Sequence, residues 1–408
     1  MILSRPWAAL ISLFLSAWNV QAADWHVATN GNDTADGTSW VTPKATIQAA
    51  VDASSNGDTI WVSNGVYSSG GVTNYPAGTT LTNRVAITKP IVVRSVNGPA
   101  ATIIMGAFHP GATNGDAAVR CAYVGENAVL SGFTLANGAT RTNNYSGEIE
   151  GGGAWCETSG LVSNCTLTGN SADLGGGAAW GTLNDCTLSG NSARNGGGAA
   201  WSTLNNCTLT GNTAISNGGG IWGGALNNCT LSGNSAAADG GGTYGSLLSD
   251  CTLTNNSAIS NGGGAWGSTL NSCMLAGNSS AANGGGASGG TLNNCTLSGN
   301  SAISNGGGTS GGTLNNCMLT GNLAYDGGGA HDSTLNNCTL TGNSAHYRGG
   351  GAYNSRLNNC IVYFNKAIYG LNYSSSTINY SCTTPAPGGT CNITNDPGLA
   401  SASHLSVD

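Results

Sequence analysis

Charge is what this chain has least of. Lys, Arg, Asp and Glu make up 7% of its 408 residues, against about 25% in an ordinary soluble domain, and no lysine stands between Lys89 and Lys366. Networks of ion pairs cannot hold such a chain together. The little charge present leans acidic, 18 Asp and Glu against 11 Lys and Arg for a formal net charge of -7. That balance excludes a nucleic-acid partner, which needs a basic face. Long apolar runs are missing after the N-terminal segment, so no membrane span is expected once that segment is removed. Apolar residues at helical spacing are scarce as well, which excludes a helical bundle.

The N-terminal segment has an address rather than a fold. Arg5 precedes the apolar stretch WAALISLFLSAW, and Val20-Gln21-Ala22 is a small-residue site of the kind signal peptidase cuts. Residues 1–22 read as a secretory signal, and the mature chain as extracellular or at the outer cell surface. Losing Arg5 leaves 10 basic and 18 acidic side chains, a formal charge of -8.

Glycine and a periodic cysteine fill the space that charge leaves. Gly accounts for 67 residues, and cysteines at 165, 186, 207, 229, 251, 273, 295, 317, 338, 360 and 382 recur every 21 or 22 residues. The unit reads x-L-N-N-C-T-L-[ST]-G-N-S-A, then a glycine triplet. Short β-type runs alternate in it with Gly, Asn and Ser turns. Cys207 and Leu209, at i and i+2, would share one face of a strand. A single unit cannot bury that face, whereas stacking unit on unit can. The expected fold is therefore all-β: a single-stranded right-handed parallel β-helix, its hand inferred from the preference of parallel crossovers. Ten regular coils would extend roughly 48 Å at about 4.8 Å per coil.

Within this solenoid cysteine serves as a small, buried packing residue. Neighbouring ladder cysteines would have parallel Cβ vectors, a poor geometry for disulfides, and single-file thiols do not converge on a metal. Cys382 with Cys391 is the pair to test for a bridge. Asn170, Asn191, Asn212 and their copies through Asn365 fall at one turn of every coil, where stacked amides can hydrogen-bond along the axis.

The ends need covers. Pro43 opens a short helix with Ile47, Ala50 and Val51 on one face, and Asn56-Gly57-Asp58 stops it before a strand over 59–62. The chain thus divides into the signal (1–22), an N-terminal cap and first coil (23–70), irregular coils (71–164), regular repeats (165–381) and a closing segment (382–408).

The run DWHVATNGNDTADGTSWVTPKATIQAAVDAS, continuing to GDTIWVSNGVY, resembles the opening of bacterial secreted proteins of the pectate-lyase-like β-helix superfamily. The repeats resemble those of polymorphic outer-membrane proteins, marked by F-x-x-N and G-G-A-I. Leu167-Thr168-Gly169-Asn170 matches the first with Leu for Phe, and Gly218-Gly219-Gly220-Ile221 approximates the second. The resemblance implies a parallel β-helix. For function it implies only a broad range, from lyases, hydrolases and epimerases to adhesins.

Two regions are candidates for function. Arg141, Glu148, Glu150 and Glu157 lie in the non-repetitive stretch 105–160, where a lyase or hydrolase acting on acidic polysaccharide would need carboxylates with an Arg base, and calcium in the lyase case. Glu148 and Glu150 would share a face if they lie on a strand. In the repeats, the third strand carries aromatics after the glycines: Trp155, Trp222, Tyr244, Trp266 and Tyr353 at one position, with Trp180 and Trp201 one residue later. Ser288 and Ser310 interrupt that column, and His331 replaces it. Trp222, Tyr244 and Trp266 form a candidate glycan-stacking stripe. The preferred reading is a secreted or surface-associated, non-catalytic, adhesin-like scaffold that needs no metal or cofactor and has carbohydrate or cell-surface components as partners. The alternative is an active or degenerate enzyme with its site in 105–160.

Overall fold

The computed structural model describes residues 22–142, 146–401 and 404–405. Nearly all of the expected signal lies outside them. The described chain winds into four all-parallel sheets of 15, 14, 9 and 13 strands, numbered 1 to 4 here in the order a coil visits them. One coil runs through Thr203–Asn205 in sheet 1, Thr208–Thr210 in sheet 2, Thr213–Ala214 in sheet 3 and Ile221–Trp222 in sheet 4. Each strand pairs with its equivalent one coil on, as in Leu204 with Leu226 and Leu209 with Leu231. The aromatic strand is the fourth of the coil and not the third, because the Ser-Ala pair after the ladder asparagine makes a short strand of its own.

Corners fall where the backbone can turn left-handed. Asn206 (φ 54°) and Gly211 (φ 61°) make the first two corners of this coil. At the glycine triplet the coils approach so closely that a Cβ on Gly219 would overlap the carbonyl oxygen of Ser235. No other residue fits there.

Inside, leucines of sheets 1 and 2, the ladder cysteines and inward residues of sheet 4 such as Ala199 and Ile221 form one continuous buried column, and the inward alanines of sheet 3, such as Ala214, are buried as well. The ladder cysteines fill the corner between sheets 1 and 2, and they do more than pack. The Cys207 sulfur accepts a hydrogen bond from the backbone N–H of Cys186 (3.4 Å), and its thiol donates to Leu183 O (3.4 Å). Cys165, Cys229, Cys251, Cys317 and Cys338 accept a backbone N–H in the same way, so these thiols satisfy buried corner amides that the turn leaves out of the sheet ladders. All 14 cysteines are free thiols, and Cys391 alone is exposed. Cys382 and Cys391 are not bridged; the Cys382 thiol donates to Asn395 O (3.2 Å).

The cysteine ladder ends one coil earlier than the spacing suggests. Cys382 pairs with Ile361, one place beyond the ladder position. Ser381 occupies that position, its Oγ accepting from Cys360 N at 2.9 Å.

The asparagine ladder is complete from Asn170 to Asn365. Each buried amide donates to the next carboxamide oxygen and to a leucine carbonyl; Asn234 reaches Asn256 Oδ1 at 2.9 Å and Leu209 O at 3.0 Å. From Asn191 on, each Oδ1 also accepts the preceding asparagine's backbone N–H, 3.0 Å for Asn234 N to Asn256 Oδ1.

At the N-terminal end a helix (Ile47–Ala53) buries Ile47, Ala50 and Val51 against the first coils. Thr46 is its N-cap, accepting from Ala49 N at 3.2 Å, so Pro43 stands three residues ahead of the cap instead of opening the helix. At the other end Ile393 bridges to Cys382, and Tyr363 donates to Thr394 O (2.7 Å), folding the 390s onto the last coil.

Candidate functional site

The charged residues of 105–160 do not assemble as one groove. Arg120 is fully buried and clamps the loop that carries the glutamates: it donates to Glu150 O (2.8 Å), Gly151 O (3.0 Å), Gly147 O and Asn83 Oδ1 (2.9 Å). Burial pulls its pKa down to about 9, which still leaves it protonated at neutral pH. Glu148 and Glu150 are both buried, but their carboxylates go to different partners. Glu148 accepts from the hydroxyl (2.7 Å) and the backbone N–H of Thr80 and lies 3.6 Å from Arg141, which is itself paired with Asp116 at 2.6 Å. Glu150 accepts from Ser146 (3.2 Å) and from the indole N–H groups of Trp155 (2.9 Å) and Trp180 (3.0 Å). Glu157 accepts from the Tyr123 hydroxyl at 2.8 Å, and burial with that bond pushes the phenol's pKa up.

Sequence reasoning gave Glu148 and Glu150 a common face on the condition that they lie on a strand. The structure instead puts Glu148 in a turn and gives Glu150 only an isolated bridge to Leu174. Arg141 and Glu148 do share a shallow cleft with Thr79, Thr80 and Ser146. Glu150 and Glu157 belong to the aromatic ledge. Among the described residues no three His, Cys, Asp or Glu side chains gather as a metal site.

The aromatic stripe is real as a register column on the outer face of sheet 4. Trp222 pairs with Tyr244, Tyr244 with Trp266, Trp266 with Ser288, Ser288 with Ser310, and Ser310 with His331. Trp222, Tyr244 and Trp266 are each half-buried. Trp180 and Trp201 sit one residue later at left-handed corners (φ 63° and 51°), which swings them alongside the column.

Ring orientation changes what the stripe can do. Tyr244 and Trp266 lie face to face, centroids 4.4 Å apart and planes 11° from parallel, and Trp180 and Trp201 stack at 4.7 Å and 25°. Rings stacked along the coil axis cover one another and turn their edges to solvent. A free face is left only where a stack ends. The Tyr244–Trp266 stack ends over Ser288 and Ser310, and the next ring, His331, is three strand steps away, roughly 14 Å at about 4.8 Å per step.

His331 and Tyr353 form the far wall (centroids 5.5 Å apart), with Arg348 over Tyr347. Burial lowers the His331 pKa from its ordinary value, against the opposing pull of Asp332 and Asp326, which favours the neutral imidazole. The stack at the N-terminal end includes two rings that sequence reading missed, Tyr75 and Tyr123, the latter 5.5 Å from Trp155 with planes 7° from parallel. Alternation along VRCAYV, with Ala122 inward, was the available signal for Tyr123.

No family model and no curated protein matches the chain. Solved structures that match include a pectate lyase (16% identity, 74% of this chain and 75% of that one, TM-score 0.42), an alginate lyase of polysaccharide lyase family 6 (12%, 92% and 55%, 0.39) and the A-module of a mannuronan C-5 epimerase from Azotobacter vinelandii (16%, 84% and 95%, 0.34). The fold rests on the chain's own strand registers: it is an all-parallel β-helix.

Proposed function

We propose that this chain is a secreted, non-catalytic β-helix scaffold that contacts glycan at the end of an aromatic stack. The observation that carries the reading is the uncovered face of Trp266 above the two serines of the column. An indole face flanked by hydroxyls suits the apolar face and the rim hydroxyls of a sugar ring. The acidic cluster supports a structural role. Glu148 is engaged with Thr80, Glu150 with two indoles and Glu157 with a phenol, so no pair of carboxylates stands ready as acid and base.

Retention and turnover of the mature protein on neutral and acidic polysaccharides, with and without calcium, test this reading. Retention without new reducing or unsaturated ends is expected, lost in Trp266→Ala and in Ser288→Trp, which covers the free face, and largely kept in Trp222→Ala. Calcium-dependent turnover lost in Arg141→Ala or Glu148→Gln would replace the reading with the lyase alternative.

A further inference from the structure

The face opposite in chemistry to the polar sheets is the outer edge of sheet 3. The residues one place after its inward alanine or serine are exposed, and Ile215, Ala237, Ile259, Ala281 and Ile303 form a straight column, with Tyr325 following in the next coil across a one-residue shift of register. The three isoleucines are 76%, 67% and 72% exposed. Single exposed apolar residues need no explanation, but an unbroken column of them does. Leu323, Ile368 and Tyr369 extend the apolar strip toward the C-terminal end. Between Arg194 and Asp326 this sheet edge carries one charge, Asp239, whose carboxylate accepts from Asn261 N and Nδ2 (3.0 and 2.9 Å).

The geometry points to a second copy of this chain as the occupant, packed antiparallel along the column. From Ile215 to Ile303 large and small residues alternate with a two-coil period. A two-fold axis midway between the coils of Ile259 and Ala281 therefore sets Ile259 of each copy over Ala281 of the other and Ile303 over Ala237, and brings the coil of Ile215 opposite that of Tyr325. Such a contact is isologous and closes as a dimer. The same axis brings the coil of Asp173 opposite that of Lys366. Arg194, which faces the coil of His346, is already neutralised by Asp173 at 2.7 Å.

Area agrees with a modest dimer. From Arg194 to Ile368 is eight strand steps, roughly 38 Å, and the five outer residues of each coil span about 16 Å at ~3.3 Å per residue. That is about 600 Å² per copy and about 1,200 Å² in all, the lower edge of specific interfaces, for which a micromolar dissociation constant is expected.

Sedimentation velocity of the mature chain from 1 to about 200 μM, in the range this area implies, should show a monomer–dimer equilibrium. Ile259→Asp and Ile303→Asp should each weaken it at least tenfold, while Leu247→Asp, on the outer face of sheet 1 and also exposed, leaves it unchanged. In a Cys391→Ser background, the Ile259→Cys/Ala281→Cys variant should form covalent dimers when oxidised glutathione exchanges with the paired thiols. A monomer at every concentration would overturn the proposal. So would a dimer indifferent to both aspartates, or failure of the double cysteine variant to cross-link. The substituted positions are exposed, so unchanged circular dichroism is expected and separates loss of contact from loss of fold.

Discussion

Replacing Asn256 by Ala tests the interior hydrogen-bond chain most directly. The substitution removes the acceptor of Asn234 N (3.0 Å) and of Asn234 Nδ2 (2.9 Å), and the donor to Leu231 O (2.9 Å), all buried. Asn278 Oδ1 keeps the backbone N–H of residue 256 and loses one of its two donors. Each buried group left without a partner costs about 1–3 kcal/mol. Three such groups, with some local relaxation, give a loss of about 3–5 kcal/mol. The matched control is Asn227→Ala: its amide makes a like-length bond to Asn205 (2.9 Å) in an exposed ladder on sheet 1, where water replaces the lost partner, and a change within about 0.5 kcal/mol is expected. Urea unfolding followed by circular dichroism measures both. Hydrogen exchange adds the location, because a solenoid feels such a break mostly in the neighbouring coils. A loss below about 1 kcal/mol for Asn256→Ala, or equal losses for the two variants, would refute the account of the ladder as a set of obligate buried bonds.

Other expectations follow from named groups. In the native protein a thiol reagent at pH 8 should modify Cys391 alone, the other 13 reacting only after denaturation. Burial pushes the thiols of Cys121, Cys156 and Cys165 up to about 12. Their stabilising effect is complete below the unfolded thiol pKa and is lost as pH rises toward 12, so unfolding free energy should fall above about pH 9 by ~1.4 kcal/mol per pH unit for each thiol. A flat profile from pH 8 to 11 in the urea midpoint would contradict this. Cys207→Ser should be tolerated better than Cys207→Ala, because serine already performs the same task at Ser381, and a melting temperature for the serine variant at or below that of the alanine variant would count against the sulfur as acceptor. Glu150→Ala strands two indole N–H groups and should cost about 1–3 kcal/mol and shift tryptophan emission, an effect absent if Glu150 is merely a solvated side chain.

Much of this architecture is legible because the sequence repeats. An in-register stack copies one reading of Leu, Cys and Asn through every coil, so the buried columns and the asparagine ladder follow from one unit. The exceptions arise where counting and conformation part. A 22-residue step from Cys360 lands on Cys382, yet hydrogen bonding selects Ser381, because the last coil is a residue shorter. Trp180 and Trp201 are visibly offset by one in sequence, but their left-handed corners are not, and ring orientation depends on those corners. For the candidate site, alternation marks which aromatics face outward but not that they stack and hide their faces. The burial of Arg120 depends on a loop 27 to 31 residues further along the chain, which no local pattern announces.

The asparagine chain also has a direction. At its start Asn170 Oδ1 accepts from Gly138 N (2.8 Å), and at its finish Asn365 passes the pattern to Asn372, whose amide donates to Thr384 O (2.9 Å). Every link between is interchangeable: it receives from below what it gives above. A duplicated unit spliced in after Asn256, or one deleted there, would leave no amide without a neighbour. Length in such a molecule can thus change by whole coils without breaking the line of amides, while the segments that start and finish it, at Gly138 and at Asn372, have no interchangeable counterpart.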